Sequence, residues 1–149
     1  MNTATLNYTE LATATQVEQT IAAVEARGIK VHLVGTPAQA LEKVHQLIPA
    51  GANVMTGASE TLRQIGLEDV LVSKDHPWVN LKDGLLAENN PEKQGKLRAQ
   101  STLSEYFLGS VQAIAETGEI VIASASGSQL PSYAFSSRNV IVSPSGSSA

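Results

Sequence analysis

The chain has 149 residues, no cysteine and a formal net charge of −4. That is one ordinary domain's worth of sequence, able to bury ~70% of its unfolded surface without disulfides or a structural metal. Without cysteine it holds no disulfide, thiolate zinc site, cysteine-ligated cluster or cysteine nucleophile of its own. Hydrophobic residues at 42% and charged residues at 16% place it outside the disordered and fibrous classes.

No basic segment followed by an apolar run opens the sequence, and it has no stretch of ~18 apolar residues. The expectation is a cytoplasmic protein with no membrane span. Ten Lys+Arg are spread from Arg27 to Arg138 and interleaved with carboxylates, so no basic stripe is available for nucleic-acid phosphates.

In chain order, Thr15-Gln16-Val17-Glu18 reads as a capping box, with Val17, Ile21 and Val24 forming one helical stripe that Gly28 ends. Val31–Val34 is a short β-branched run, predicted as a strand. Thr36-Pro37-Ala38-Gln39 then starts a second helix, with Leu41, Val44 and Ile48 as its apolar face. Asn53–Thr56 is the next strand, and Gly57-Ala58-Ser59 turns the chain into a short helix from Glu60 to Ile65.

Residues 67–100 read as a helical insertion or cap: Leu67–Val72 fits either strand or helix, Trp78 to Leu86 carries an apolar helical face, and Glu92–Gln100 is a polar helix. Trp78 and the nearby leucines suit a core or an oligomer contact. Beyond them, Tyr106–Leu108 is a strand ending at Gly109, Ser110 caps a short helix from Val111 to Glu116, and Glu119–Ala123 is a buried strand. Ser124–Pro131 is a small-residue loop, Asn139–Val142 a last strand and 143–149 a flexible tail. Short apolar strands between amphipathic helices predict a single α/β domain over 1–142, with a mostly parallel sheet covered by helices on both faces.

Two loops follow predicted parallel strands, where open α/β sheets place their ligands. Gly57-Ala58-Ser59 also opens a helix, whose N-terminus favours an anion, although a plain N-cap explains Ser59 equally well. Ser124, Ser126, Gly127, Ser128 and Gln129 form the second loop, where small side chains let a ligand approach the backbone. Glu116, followed by Thr117 and Gly118, is the carboxylate of interest: at the end of the predicted helix it is either solvated or held by a ligand or internal donor, and it is the candidate general acid or base.

Neither loop matches a Walker or dinucleotide fingerprint, so the sequence calls for no cofactor. His32, His45 and His76 lack metal-ligand spacing, and no histidine follows residue 76 to complete a serine hydrolase.

Three segments together resemble the LUD-domain (lactate utilisation, LutC-type) family: Val54 to Gly66, Gly109 to Gly118 and Ile122 to Pro131. The resemblance runs from about Thr15 to Val142. It implies a three-layer α/β fold similar to the NagB/RpiA/CoA-transferase group and a role around oxidation of lactate to pyruvate, beside partner subunits that carry iron–sulfur clusters. Relatives usually continue beyond the strand matching Asn139–Val142, and loss of that portion would expose sheet and favour a homo-oligomer. The combined expectation is a small carboxylate or phosphorylated ligand held between the two loops, with Glu116 and Thr117 as polar neighbours. The alternative, by fold analogy, is an enzyme acting on sugar phosphates or CoA esters.

Overall fold

The computed structural model describes residues 11–144. Helices α1 (Ala14–Glu25) and α2 (Pro37–Leu47) precede strand β1 (Asn53–Thr56), followed by α3 (Glu60–Gln64), α4 (Leu67–Ser73), β2 (Val79–Asn80), α5 (Leu81–Ala87) and α6 (Pro91–Ser101). Strands β3 (Tyr106–Val111), β4 (Ala113–Ile114) and β5 (Ile120–Val121), a single π turn (Ser132–Ser136) and β6 (Asn139–Pro144) complete the order. Four strands form one parallel sheet in the order β2-β1-β3-β6, and β4 and β5 make a separate antiparallel hairpin.

Strand alternation divides the sheet into two faces. Val54 and Leu108 point to the same side and join Val44, Ile48, Leu62, Leu67, Leu71 and Trp78 in the main core, which places α2, α3 and α4 there. Phe107, one residue out of phase, faces the other side together with Leu85 of α5 and Ser101 of α6. A right-handed crossover from β1 to β2 and a second one back to β3 require this division of the helices. The fold is therefore a three-layer α/β arrangement, as predicted. The segment 67–100 supplies α4 to one face, β2 to the sheet edge, and α5 and α6 to the other face.

Helix starts follow local chemistry. Thr36 caps α2 by accepting from the Gln39 amide, with Pro37 at the first helical position. The α1 capping box is Thr13 with Gln16, two residues before the predicted Thr15. Gln16, like Glu18 in the prediction, supplies the acceptor that reaches back, so the pattern is right and its register is shifted. Trp78 lies in the core, where its indole N–H donates to the Ile48 carbonyl.

Three predicted elements are corrected. Val31–Val34 belongs to no strand, and Leu33 is 75% exposed. Its β-branched composition favours extended backbone, but no strand of the sheet pairs with it. Val111–Glu116 is not a helix: β3 continues through Gly109 to Val111, because Ser110 and Val111 pair with Ser143 and Pro144 of β6. The predicted buried strand Glu119–Ala123 is reduced to β5, paired with β4 only, and Val121 is half exposed. Ser143 and Pro144 are in β6 and so not part of a tail, while 145–149 lie outside the described residues.

Candidate functional site

The exit of β1 runs toward β2 and the exit of β3 runs toward β6, so the chain diverges at the carboxyl ends of β1 and β3. Such a switch point leaves a crevice. Here it is an open cleft of about 250 Å³, floored by Met55, Thr56, Gly57 and Ala58 at the end of β1 and by Phe107. Lys82, Leu85 and Leu86 of α5, Arg98 and Ser101 of α6 and the following Thr102 wall one side, and Ser128, Gln129 and Ser132 close the other.

Of the predicted residues, the cleft brings together Gly57, Ser128 and Gln129. A Cβ on Gly57 would lie 2.5 Å from Gln129 Oε1 and 3.4 Å from Phe107 Cζ, so glycine is what lets the Gln129 side chain seat against β1. Ser124 and Ser126 support this loop from behind. The Ser124 hydroxyl accepts from the Gly127 amide, and the Ser126 and Ser128 hydroxyls are 2.9 Å apart. Gly127 is the turn residue between them, with φ +71°. We predict that Gly57→Ala displaces Gln129 and weakens any ligand of the cleft at least about tenfold, by the loss of one well-placed polar contact. Unchanged affinity in a titration would contradict this.

Ser59 does not line the cleft. It is buried as the N-cap of α3, where its hydroxyl accepts from the Leu62 amide at 3.1 Å. Ser59→Ala should therefore cost about 1 kcal/mol of stability in a denaturant melt, with ligand affinity unaltered.

Glu116, Thr117 and Gly118 also lie elsewhere, in the turn of the β4–β5 hairpin docked on α1. Gln16 Nε2 donates to Glu116 Oε1 at 2.8 Å, and the Arg27 guanidinium donates to the Thr117 carbonyl at 2.8 Å and to Glu119. Gly118 sits against the Ala23 carbonyl, leaving 2.7 Å for a Cβ. The Thr117 hydroxyl, its own backbone amide and Arg27 hold the Glu119 carboxyl below the usual carboxylate range. With no helix ending at Glu116, the macrodipole argument for it lapses; the carboxylate is exposed and accepts from Gln16.

Lys82 and Arg98 are the cleft residues that sequence reasoning missed. Neither makes an ion pair or a side-chain hydrogen bond within the described residues. The other cations of that stretch are interleaved with carboxylates, so the sequence shows no basic stripe there. The available signal was the α6 spacing Gly95, Arg98, Ala99, Thr102, which lays one helix face along the site. The buried Thr56 hydroxyl, on the cleft floor, also has no hydrogen-bond partner among the described residues. Among the described residues, no Asp, Glu or His lines the cleft. Nor does any cluster of three metal-ligating side chains occur among the described residues.

Above the cleft, Tyr133 crosses β3. Its hydroxyl donates to the Ser110 carbonyl at 2.9 Å and its ring meets Phe107 edge-on at 4.9 Å. Burial pushes the phenol up from its ordinary range, which keeps it a neutral donor.

The described residues include no helix long and apolar enough to cross a membrane. No curated protein and no solved structure matches the chain. The LUD-domain family model matches residues 17–143, spanning the whole sheet and both walls of the cleft. On that match, with the α/β architecture that accompanies it, the chain belongs to the LUD-domain family, a family related to lactate utilisation.

Proposed function

We propose that this chain is a small-anion-binding protein of lactate utilisation, holding a carboxylate or phosphorylated compound in the cleft at the carboxyl end of β1. The observation that carries the reading is the pair of unpartnered cations, Lys82 and Arg98, on the wall of one cleft in a protein of net charge −4. Charge-assisted hydrogen bonds to an anion would use both, while Ser128, Gln129 and Thr56 offer neutral partners on the opposite wall and floor. Such a site suits binding more than acid–base turnover, because its lining has no carboxylate or imidazole. The protein would act as an accessory subunit in oxidation of lactate to pyruvate, next to cluster-bearing subunits that supply the electron transfer a cysteine-free chain does not supply with clusters of its own.

A thermal-shift panel of lactate, pyruvate, inorganic phosphate and sugar phosphates tests this. A ligand at 100 times its Kd should raise the melting temperature by about 5–10 °C, since it adds about 2.7 kcal/mol. A cooperative melt that no anion moves would contradict the reading.

A further inference from the structure

Trp78 is the only tryptophan in the chain, and two imidazoles lie against it. His76 stacks on the indole at 5.4 Å between ring centres and an angle of 22°. His45, exposed in the last turn of α2, meets it at 4.8 Å and 32°. We propose that His76 is a proton-operated latch on edge strand β2. When neutral it holds the start of the strand against β1, and when protonated it lets the strand go.

The hydrogen bonds fix the form of the ring. The Trp78 amide donates to His76 Nδ1 at 3.2 Å, so Nδ1 keeps its lone pair and the ring proton is on Nε2. That Nε2 is buried and has no partner among the described residues. A second proton would set N–H against N–H at Nδ1 and leave a cation with an unanswered buried donor. No carboxylate compensates. The charged groups on the elements packed around the indole are Glu42 and Lys43 of α2, Glu68 and Asp69 of α4, and Lys74 and Asp75 in the turn itself. Among the described residues none of these carboxylates pairs with either imidazole, and Glu60 of α3 pairs with Arg63. Strand β1 has no charged residue. His45 is the internal control, since a cation over the indole at a helix C-terminus is favoured.

Strand β2 depends on this turn. It is two residues long and pairs with β1 alone. Around it the Gly51 amide donates to the Pro77 carbonyl at 2.7 Å, and the Val79 amide to the Ala52 carbonyl at 2.9 Å. Asn80 then caps α5 by accepting from the Lys82 amide, so release of β2 carries into the helix that brings Lys82 to the cleft.

Amide exchange read residue by residue, together with Trp78 emission, tests the latch on the whole chain. The range is from about pH 8 to about pH 5.5, where histidine takes up its proton. After correction for intrinsic exchange rates, the Trp78, Val79 and Lys82 amides should lose protection at least about tenfold on acidification, while β3 and β6 keep theirs. The emission should shift to the red. His76→Asn supplies an oxygen that accepts from the amide two residues on and takes no proton in this range, so it should keep protection throughout. His45→Gln should leave the parent's response in place. In the parent itself, the ring nitrogen shifts at the upper pH should place the His76 proton on Nε2, a reading that needs no variant. The latch is overturned by protection that pH does not change, by a His76→Asn variant that responds like the parent, or by a response that His45→Gln abolishes. A neutral His76 with its proton on Nδ1 overturns it too. So does loss of protection through the whole sheet at once, because the proton would then act on the entire fold.

Discussion

Gly109→Ala should destabilise the protein by about 2–4 kcal/mol, from overpacking and the loss of one half-buried hydrogen bond. A Cβ at Gly109 would lie 2.0 Å from the Tyr133 hydroxyl, 2.8 Å from its Cζ and 3.1 Å from Phe107 Cε1. The tyrosine ring is rigid and pinned at both ends, by Phe107 and by the Ser110 carbonyl, so relief requires it to leave β3. Expelling it gives up the hydrogen bond and the edge-on contact together. The melting temperature should fall by roughly 6–15 °C.

Tyr133→Phe alone should cost about 0.5–1.5 kcal/mol. In the Gly109→Ala background the same change should cost much less, because the hydrogen bond is already lost; that non-additivity is the signature of the contact. A Gly109→Ala variant within 0.5 kcal/mol of the parent would show that the strand does not need this clearance. Since only Leu130 and Pro131 separate Gln129 from the π turn, ligand affinity should fall with stability in this variant.

The second large effect separates binding from folding. Lys82→Ala and Arg98→Ala should each weaken an anion about tenfold or more, and together at least about 100-fold, because each removes a charge-assisted hydrogen bond. The free protein should melt within 0.5 kcal/mol of the parent, as surface groups without partners contribute little to the fold. Neither cation has a side-chain partner to lose among the described residues. The affinity of the parent should also fall with added salt, and that of the double variant should not. A double variant that binds as the parent does would move the site elsewhere.

What the sequence revealed depended on how local the physics was. The caps of α2 and α3, strand β1 and the glycine after it are specified within a few residues, and each stands where it was expected. Elements whose extent is set by pairing were legible only in part: β3 and β6 begin where Tyr106–Leu108 and Asn139–Val142 were expected, but the continuation of β3 to Val111 was not visible. Val31–Val34 has strand composition without a neighbour, and Ser110 resembles an N-cap until β6 claims the backbone beside it. The error at Val111–Glu116 then carried Glu116 to an imagined helix end and Ser124–Gln129 to the end of an imagined parallel strand. That loop nevertheless reaches the cleft, because Gln129 docks on Gly57, a contact across more than seventy residues of chain. Lys82 and Arg98 come from different helices whose convergence depends on the path between β2 and β3, which no spacing rule encodes.

The central claim is the location of the anion. Nitrogen–proton NMR titrations of the assigned protein with inorganic phosphate and with lactate would report it residue by residue. The account predicts that shifts concentrate at Gly57, Lys82, Arg98, Thr102, Ser128 and Gln129, with Glu116–Gly118 in the hairpin unmoved. Shifts centred on Glu116, Thr117 and Gly118, with the cleft silent, would contradict it.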